Sequence, residues 1–375
     1  MIRKAIILAA GRGTRLQPLT SDLPKPMIPL LGRPVMAYII EHLVAQGVQE
    51  IMVNVSHMAD QIERYFGDGR HLGVQIGYSY EGGLSDGQLV PAPLGSAGAL
   101  RKIQDHGGFI DQTTAVVCGD AIVDVDLQRA WREHRSKGAL ATVVTKQVAD
   151  HEVSNYGVVV ARADGSVVSF QEKPRAGEAL SRDASTGIYL VDPGVLDLIP
   201  SGQVMDIGSE LFPALVQKGL PFFRHTQDFH WLDIGRVSDY WRIMQALMKG
   251  EMPKVRMPGR EVRPGVFVGL NVDVHWDSLE VSGPVFFGSG ARVAPGVKLK
   301  GPTWIGNGCR IDEGATLTRS ILFDYTHIGA NALAHERIVS GSYCVSRDGV
   351  VDQEPLTGWR GDARCGSLQP ADWTA

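Results

Sequence analysis

The sequence predicts an α/β domain with a mostly parallel sheet, followed by a parallel β-helix built from six-residue steps. Three observations predict it. Strand-like and helix-like segments alternate over the first 250 residues. Apolar residues then recur at every sixth position from Val281 to Phe323. Between the first strand and the first helix lies a loop dense in glycine, proline and positive charge, at the end of a strand where ligands of open α/β sheets bind.

The α/β reading rests on short apolar runs. Ala5–Leu8, Ile51–Val55, Val74–Tyr80, Thr114–Cys118 and Ala139–Val144 read as strands, and Val35–Gln46, Leu127–Ser136 and Val237–Met248 as helices, the first ended by Gly47. This domain takes residues 1–250, and a linker rich in proline, methionine and basic residues takes 251–261.

The repeat takes 262–345. Val281, Phe287, Val293, Leu299, Ile305, Ile311, Leu317 and Phe323 share one register, and four positions after each of the first seven stands a small or compact residue: Val285, Ala291, Val297, Thr303, Cys309, Ala315 and Ile321. A period of six fits neither a helix nor an alternating strand. It fits coils that stack one apolar side chain on the next, each contributing about 1.5–3 kcal/mol of burial before entropy is subtracted. A small β-sandwich with glycine turns is the lesser alternative. The register slips by one residue at Ile328, which reads as the end of regular coils, and 346–375 reads as a cap or tail.

Composition narrows the class. The chain has 375 residues, 44% hydrophobic and 21% charged, with a formal net charge of −4. It reads as a soluble, cytoplasmic globular protein of two domains, without a signal peptide, a membrane span or a basic nucleic-acid surface. Cys118, Cys309, Cys344 and Cys365 are widely spaced and read as reduced thiols. There is no Gly-x-Ser-x-Gly elbow, and the eleven histidines show no zinc spacing. His225 and His230 read as structural.

The loop reads LAAGRGTRLQPLTSDLPKPM over 8–27. Gly11 and Gly13 lack a Cβ and let backbone amides approach an anion. Arg15 and Lys25 add two positive charges. Pro18, Pro24, Pro26 and Pro29 stiffen the chain, so less entropy is lost when it closes on a ligand. Leu16 stands where a dinucleotide fingerprint needs its third glycine, and no Gly-Lys-Ser/Thr is present. The run suits a polyphosphate held at a strand end.

This run resembles the signature of the sugar-1-phosphate nucleotidylyltransferases, which make nucleotide sugars. The resemblance implies a Rossmann-like nucleotidyltransferase domain followed by a left-handed β-helix. It also implies that Ala10, Gly11, Gly13 and Thr14 bind the nucleoside triphosphate, and that Arg15 and Lys25 act on its phosphates.

Asp120 ends the apolar run TTAVVCGD, where a carboxylate can hold Mg²⁺, and Gly119 reads as leaving room for a ligand. Asp126, just before Leu127, is the better helix N-cap, and Asp124 a lesser metal candidate. By itself Asp233 in FHWLDIGRVSDYW reads as a surface or capping residue; the resemblance makes it the second metal carboxylate. SNYGVVV, SFQEKPRAGE and STGIYLVD arrive in family order. They imply that Gly157, Glu172 and Gly187 bind the sugar and that Lys173 pairs with its phosphate. An isolated Glu-Lys-Pro would read as an exposed turn. LGSAGAL at 94–100 opens a helix, with Gly95 and Ser96 offering hydrogen bonds to a base; Ser96 is also an N-cap candidate and stands where threonine is more usual. Residues 82–93 read as an extra loop before that motif.

The resemblance covers nearly the whole chain and is nearest to bacterial two-domain mannose-1-phosphate guanylyltransferases. It implies a Mg²⁺-dependent synthesis of GDP-mannose and pyrophosphate from GTP and mannose 1-phosphate, serving polysaccharide biosynthesis, in a homo-oligomer joined through the β-helix. The alternatives are a UDP-glucose or dTDP-glucose pyrophosphorylase, or a regulatory homologue that binds a nucleotide sugar without making it.

Overall fold

A computed structural model describes residues 1–85, 88–175, 177–252, 254–352 and 359–365. The middle of the extra loop, one linker position and most of the tail therefore lie outside the described residues. Two compact units result. The first comprises Met1–Gly13, Asp22–Ile28 and Pro34–Asp233, and the second Thr14–Ser21, Pro29–Arg33 and Ile234–Ala375.

The first unit runs β1 (Lys4–Leu8), α1 (Val35–Ala45), β2 (Glu50–Val55), α2 (Ala59–Phe66), β3 (Gln75–Tyr80), a hairpin of β4 (Gly82–Ser85) and β5 (Gln88–Pro91), α3 (Gly95–Gly107), β6 (Thr114–Cys118), β7 (Ala121–Val123), α4 (Leu127–Ser136), β8 (Ala141–Gln147), β9 (Val158–Ala161), β10 (Val167–Gln171), β11 (Asp183–Val191), α5 (Phe212–Gln217), β12 (Phe222–Thr226) and β13 (Trp231–Asp233). The extra loop is thus a β-hairpin. The strand expected from Ala139 begins at Ala141, because Ala139 still donates to His134 O at the end of α4. Asp126 is the N-cap of α4, accepting from Arg129 N at 2.8 Å.

Nine strands form one sheet in the order β10-β9-β11-β6-β1-β2-β3, with β8 joined to β11 and β12. Strands β3, β2, β1 and β6 are parallel, and β11 runs antiparallel to β6. Side-chain alternation sends Ala5 and Ile7 into a core with α1 and α2, and Ile6 into another with α3 and α5. Leu8 lies in register with both Asn54 and Cys118. The glycine loop after Leu8 and the turn after Cys118 therefore leave from neighbouring carboxyl ends.

The second unit contains the helix Val237–Met248 and three sheets of short stacked strands, of seven, five and four. Phe287 lies in register with Ile305, Val293 with Ile311, and Leu299 with Leu317, each pair three six-residue steps apart. All seven compact positions from Val285 to Ile321 are buried. This is a parallel β-helix.

Two details of the repeat differ from expectation. Leu322, not Phe323, stacks on Ile305, and Phe323 is only half-buried. Ile305 follows Leu299 by six positions but Leu322 follows Leu317 by five, because the corner at Arg319 is one residue shorter than that at Gly301-Pro302. A one-residue change of register moves a strand's side chains to the other face, so Leu322 turns inward. The coils also continue past Ile328. Leu333–His335 pairs with Thr316–Thr318, and Arg337–Val339 with Ile321–Leu322. Antiparallel strands Cys344–Ser346 and Arg360–Asp362 then close the stack.

Candidate active site

The carboxyl ends of the central strands open onto a cavity of about 240 Å³. Among its walls are Asp120, Gly157, Glu172, Lys173, Gly187, Ser96 and Asp233, drawn from segments far apart in sequence. Lys25 reaches the same place through an ion pair with Asp120. Ala10, Gly11, Gly13 and Gly95 are not among the residues lining the cavity. Thr14 and Arg15 belong to the second unit.

Asp120 follows the carboxyl end of β6, and Asp233 ends β13, which pairs antiparallel with β7 so that Asp233 faces Ala121. Two carboxylates are thus brought together by strand pairing. An all-oxygen pair on a cavity suits Mg²⁺, which keeps waters and substrate phosphates in its shell. Among the described residues no group of three or more His, Cys, Asp or Glu could hold a metal. Asp124 is engaged elsewhere, accepting from the His230 backbone N–H at 2.6 Å and pairing with its Nδ1 at 2.9 Å.

A Cβ on Gly119 would lie 3.0 Å from Leu8 O, and Gly119 N donates to that oxygen at 2.9 Å. The glycine lets β6 approach β1 closely. Gly13 adopts φ +63°. Gly95 has φ +74°, and a Cβ there would meet Met205 O at 2.5 Å.

Glu172 lies between two glycines. A Cβ on Gly157 would meet its Oε2 at 3.1 Å, and one on Gly208 would meet it at 2.6 Å. Lys173 holds Glu172 Oε1 at 2.9 Å and has φ +45°, a backbone conformation that costs a non-glycine residue about 1–3 kcal/mol and clusters at binding sites. Gly187, at φ +73°, faces Cys118: a Cβ would meet its Sγ at 2.8 Å. Burial, reinforced by the nearby Asp120 and Asp233, pushes the Cys118 thiol far above its ordinary range.

Sequence reasoning missed Asp206, Tyr156, Tyr189 and Trp231, which also line the cavity. Tyr156 and Trp231 pack with ring centroids 4.7 Å apart. Asp206 caps the π-helical turn Ile207–Leu211, accepting from Gly208 N and Ser209 N at 2.9 Å. Burial favours its neutral form, but hydrogen bonds from Ser209, Ser96 and Gly208 outweigh this and hold its carboxyl below the usual range. The available signal was Asp followed at two and three positions by Gly and Ser, a cap pattern.

A strand-end cavity lined by two carboxylates, with a lysine on one of them and a second lysine in its wall, suits phosphoryl chemistry. The family model for nucleotidyl transferases matches residues 4–250, and the chain belongs to this family, as one of its sugar-1-phosphate nucleotidyltransferases. It is 51% identical, over 92% of its length and 89% of the relative's, to a UTP–glucose-1-phosphate uridylyltransferase of Synechocystis. It is 30% identical to a mannose-1-phosphate guanylyltransferase of Mycobacterium tuberculosis, over 79% of this chain and 77% of the relative. Among solved structures, a putative glucose-1-phosphate thymidylyltransferase from Bacillus anthracis matches with a TM-score of 0.55 and 25% identity, over 65% of this chain and 94% of that one. No described helix is long and apolar enough to cross a membrane.

Proposed function

We propose that the protein joins UTP and glucose 1-phosphate to give UDP-glucose and pyrophosphate. The observation that carries this reading is the 51% identity to a uridylyltransferase over 92% of the chain, against 30% over 79% for the guanylyltransferase that the motifs alone favoured.

A phosphate oxygen of the sugar 1-phosphate attacks the α-phosphorus of the triphosphate. The new O–P bond forms as the bond from the α-phosphorus to the β-phosphate bridging oxygen breaks in line, and pyrophosphate leaves. Such transfer depends on placement and charge neutralisation more than on covalent help. Glu172 accepts hydrogen bonds from sugar hydroxyls, with Gly157 and Gly187 allowing close approach. Lys173 pairs with the sugar phosphate and aims the attacking oxygen. Lys25 passes from Asp120 to the triphosphate, and it and Arg15 neutralise the leaving pyrophosphate. Asp120 and Asp233 would hold Mg²⁺, which would supply charge neutralisation at the phosphate oxygens. Ala10, Gly11, Gly13, Thr14 and Gly95 serve the nucleotide. The β-helix carries contacts between copies of the chain, which light scattering tests.

Pyrophosphate release is the deciding measurement, with each nucleoside triphosphate set against glucose-, mannose- and N-acetylglucosamine 1-phosphate. Turnover concentrated in UTP with glucose 1-phosphate is expected. Turnover concentrated in GTP with mannose 1-phosphate overturns the substrate assignment, and silence across the panel overturns catalysis.

A further inference from the structure

We infer that Ser96 is a positioning residue for the sugar side of the site and does not read the base with its side chain. The inference rests on the nucleotidyl-transfer reading above but not on which base or sugar is used.

A serine hydroxyl has one proton to give. Ser96 Oγ donates it to Asp206 Oδ2 at 2.7 Å and accepts from Ile207 N at 2.8 Å. The neighbouring amides point the same way. Ala97 N and Gly98 N donate to Met205 O at 2.9 and 3.1 Å, and Met205 N donates to Leu94 O at 2.9 Å. The start of α3 is therefore stitched to residues 205–207.

That stitch ends at the sugar subsite. Asp206, Ile207 and Gly208 line the cavity beside Glu172. The other carboxylate oxygen of Asp206 is held by Gly208 N, Ser209 N and Ser209 Oγ at 2.9–3.0 Å. Ser96 supplies the remaining constraint, on Oδ2. Gly208 in turn packs so closely on Glu172 that a Cβ would lie 2.6 Å from its Oε2. Loosening Asp206 and the turn it caps is thus transmitted to Glu172.

The test is steady-state kinetics of Ser96→Ala and Ser96→Thr on whichever substrate pair the wild-type protein turns over. Ser96→Ala should raise KM for the sugar 1-phosphate by about fivefold or more, the effect of losing a hydrogen bond to a charged group, with KM for the triphosphate within about twofold. Ser96→Thr keeps the hydroxyl and should restore the wild-type value. A rise confined to the triphosphate KM, equal rises in both, no change in either, or no rescue by threonine each overturns the inference. A wild type active on another pair, with the same split in Ser96→Ala, refutes the UTP–glucose assignment and leaves this one standing.

Discussion

The ammonium group of Lys25 pairs with Oδ2 of Asp120, although 95 positions separate them in sequence. Both are mostly buried, with side chains 13% and 26% exposed. The contact joins the loop after β1 to the turn after β6, whose strands are neighbours in the sheet. It also places a positive charge on one of the two carboxylates proposed for Mg²⁺.

Asp120→Asn tests that arrangement. The amide keeps size and hydrogen bonding but removes the charge, so the fold should survive. Turnover should fall by about a hundredfold or more, since a lost electrostatic contact to the reacting group costs on the order of 3 kcal/mol. Pyrophosphate release with a Mg²⁺ titration measures it, beside a thermal melt. Near-normal Mg²⁺-dependent turnover would refute the assignment.

Much of this site was legible because its residues sit at places where a physical pattern breaks. Asp120 follows an uninterrupted apolar strand, and the β-helix announces itself by a period that no helix shares. Asp206 was not legible. Its sequence shows only a cap pattern, and its place by the cavity follows from α3 docking on residues 205–207, a tertiary event. Gly119 was legible as a necessary glycine, but its close approach to Leu8 O was not, because strand spacing is invisible in sequence. Phe323 was misplaced since a one-residue shortening at Arg319 leaves the apolar pattern nearly intact: Leu322 and Phe323 are both apolar, and only the coil below decides between them.

Gly157→Ala probes the sugar side without touching a charge. The new Cβ would lie 2.5 Å from Phe170 Cζ and 3.1 Å from Glu172 Oε2, so the ring and carboxylate must both give way. KM for the sugar 1-phosphate should rise by about tenfold, as expected for a misplaced hydrogen-bonding group. The triphosphate KM should stay within about twofold. Equal effects on both substrates would show that Gly157 acts on the whole unit and not on Glu172.

Two buried imidazoles set an acid limit on stability. Burial holds the pKa of His134 and of His225 below the ordinary 6.5, against the opposing pull of Asp192 and Glu133. The unfolded chain takes up these protons first as pH falls. Their contribution is therefore complete above 6.5 and is lost as pH drops through the lower folded-state values. The urea midpoint should be level from about pH 8 to 7 and decline towards about pH 5.5, before most carboxylates titrate. A midpoint that rises over that interval would contradict the neutral, buried state of both rings.

Ile305 offers the sharpest test of the β-helix, because its side chain is fully buried between Phe287 and Leu322 in adjacent coils. Shortening it to alanine removes contacts to both and should destabilise the unit by about 2–5 kcal/mol. Aspartate is worse: its carboxylate would have to be buried among apolar side chains or neutralised. Ile305→Asp should thus lower the melting temperature far more than Ile305→Ala. Arg310→Ala, an exposed site one step along the same coil, should have almost no effect. Circular dichroism melts of the three variants decide the matter. Equal melts for Ile305→Asp and Arg310→Ala would mean that position 305 is not the inside of a coil, and the six-residue stack would fail with it.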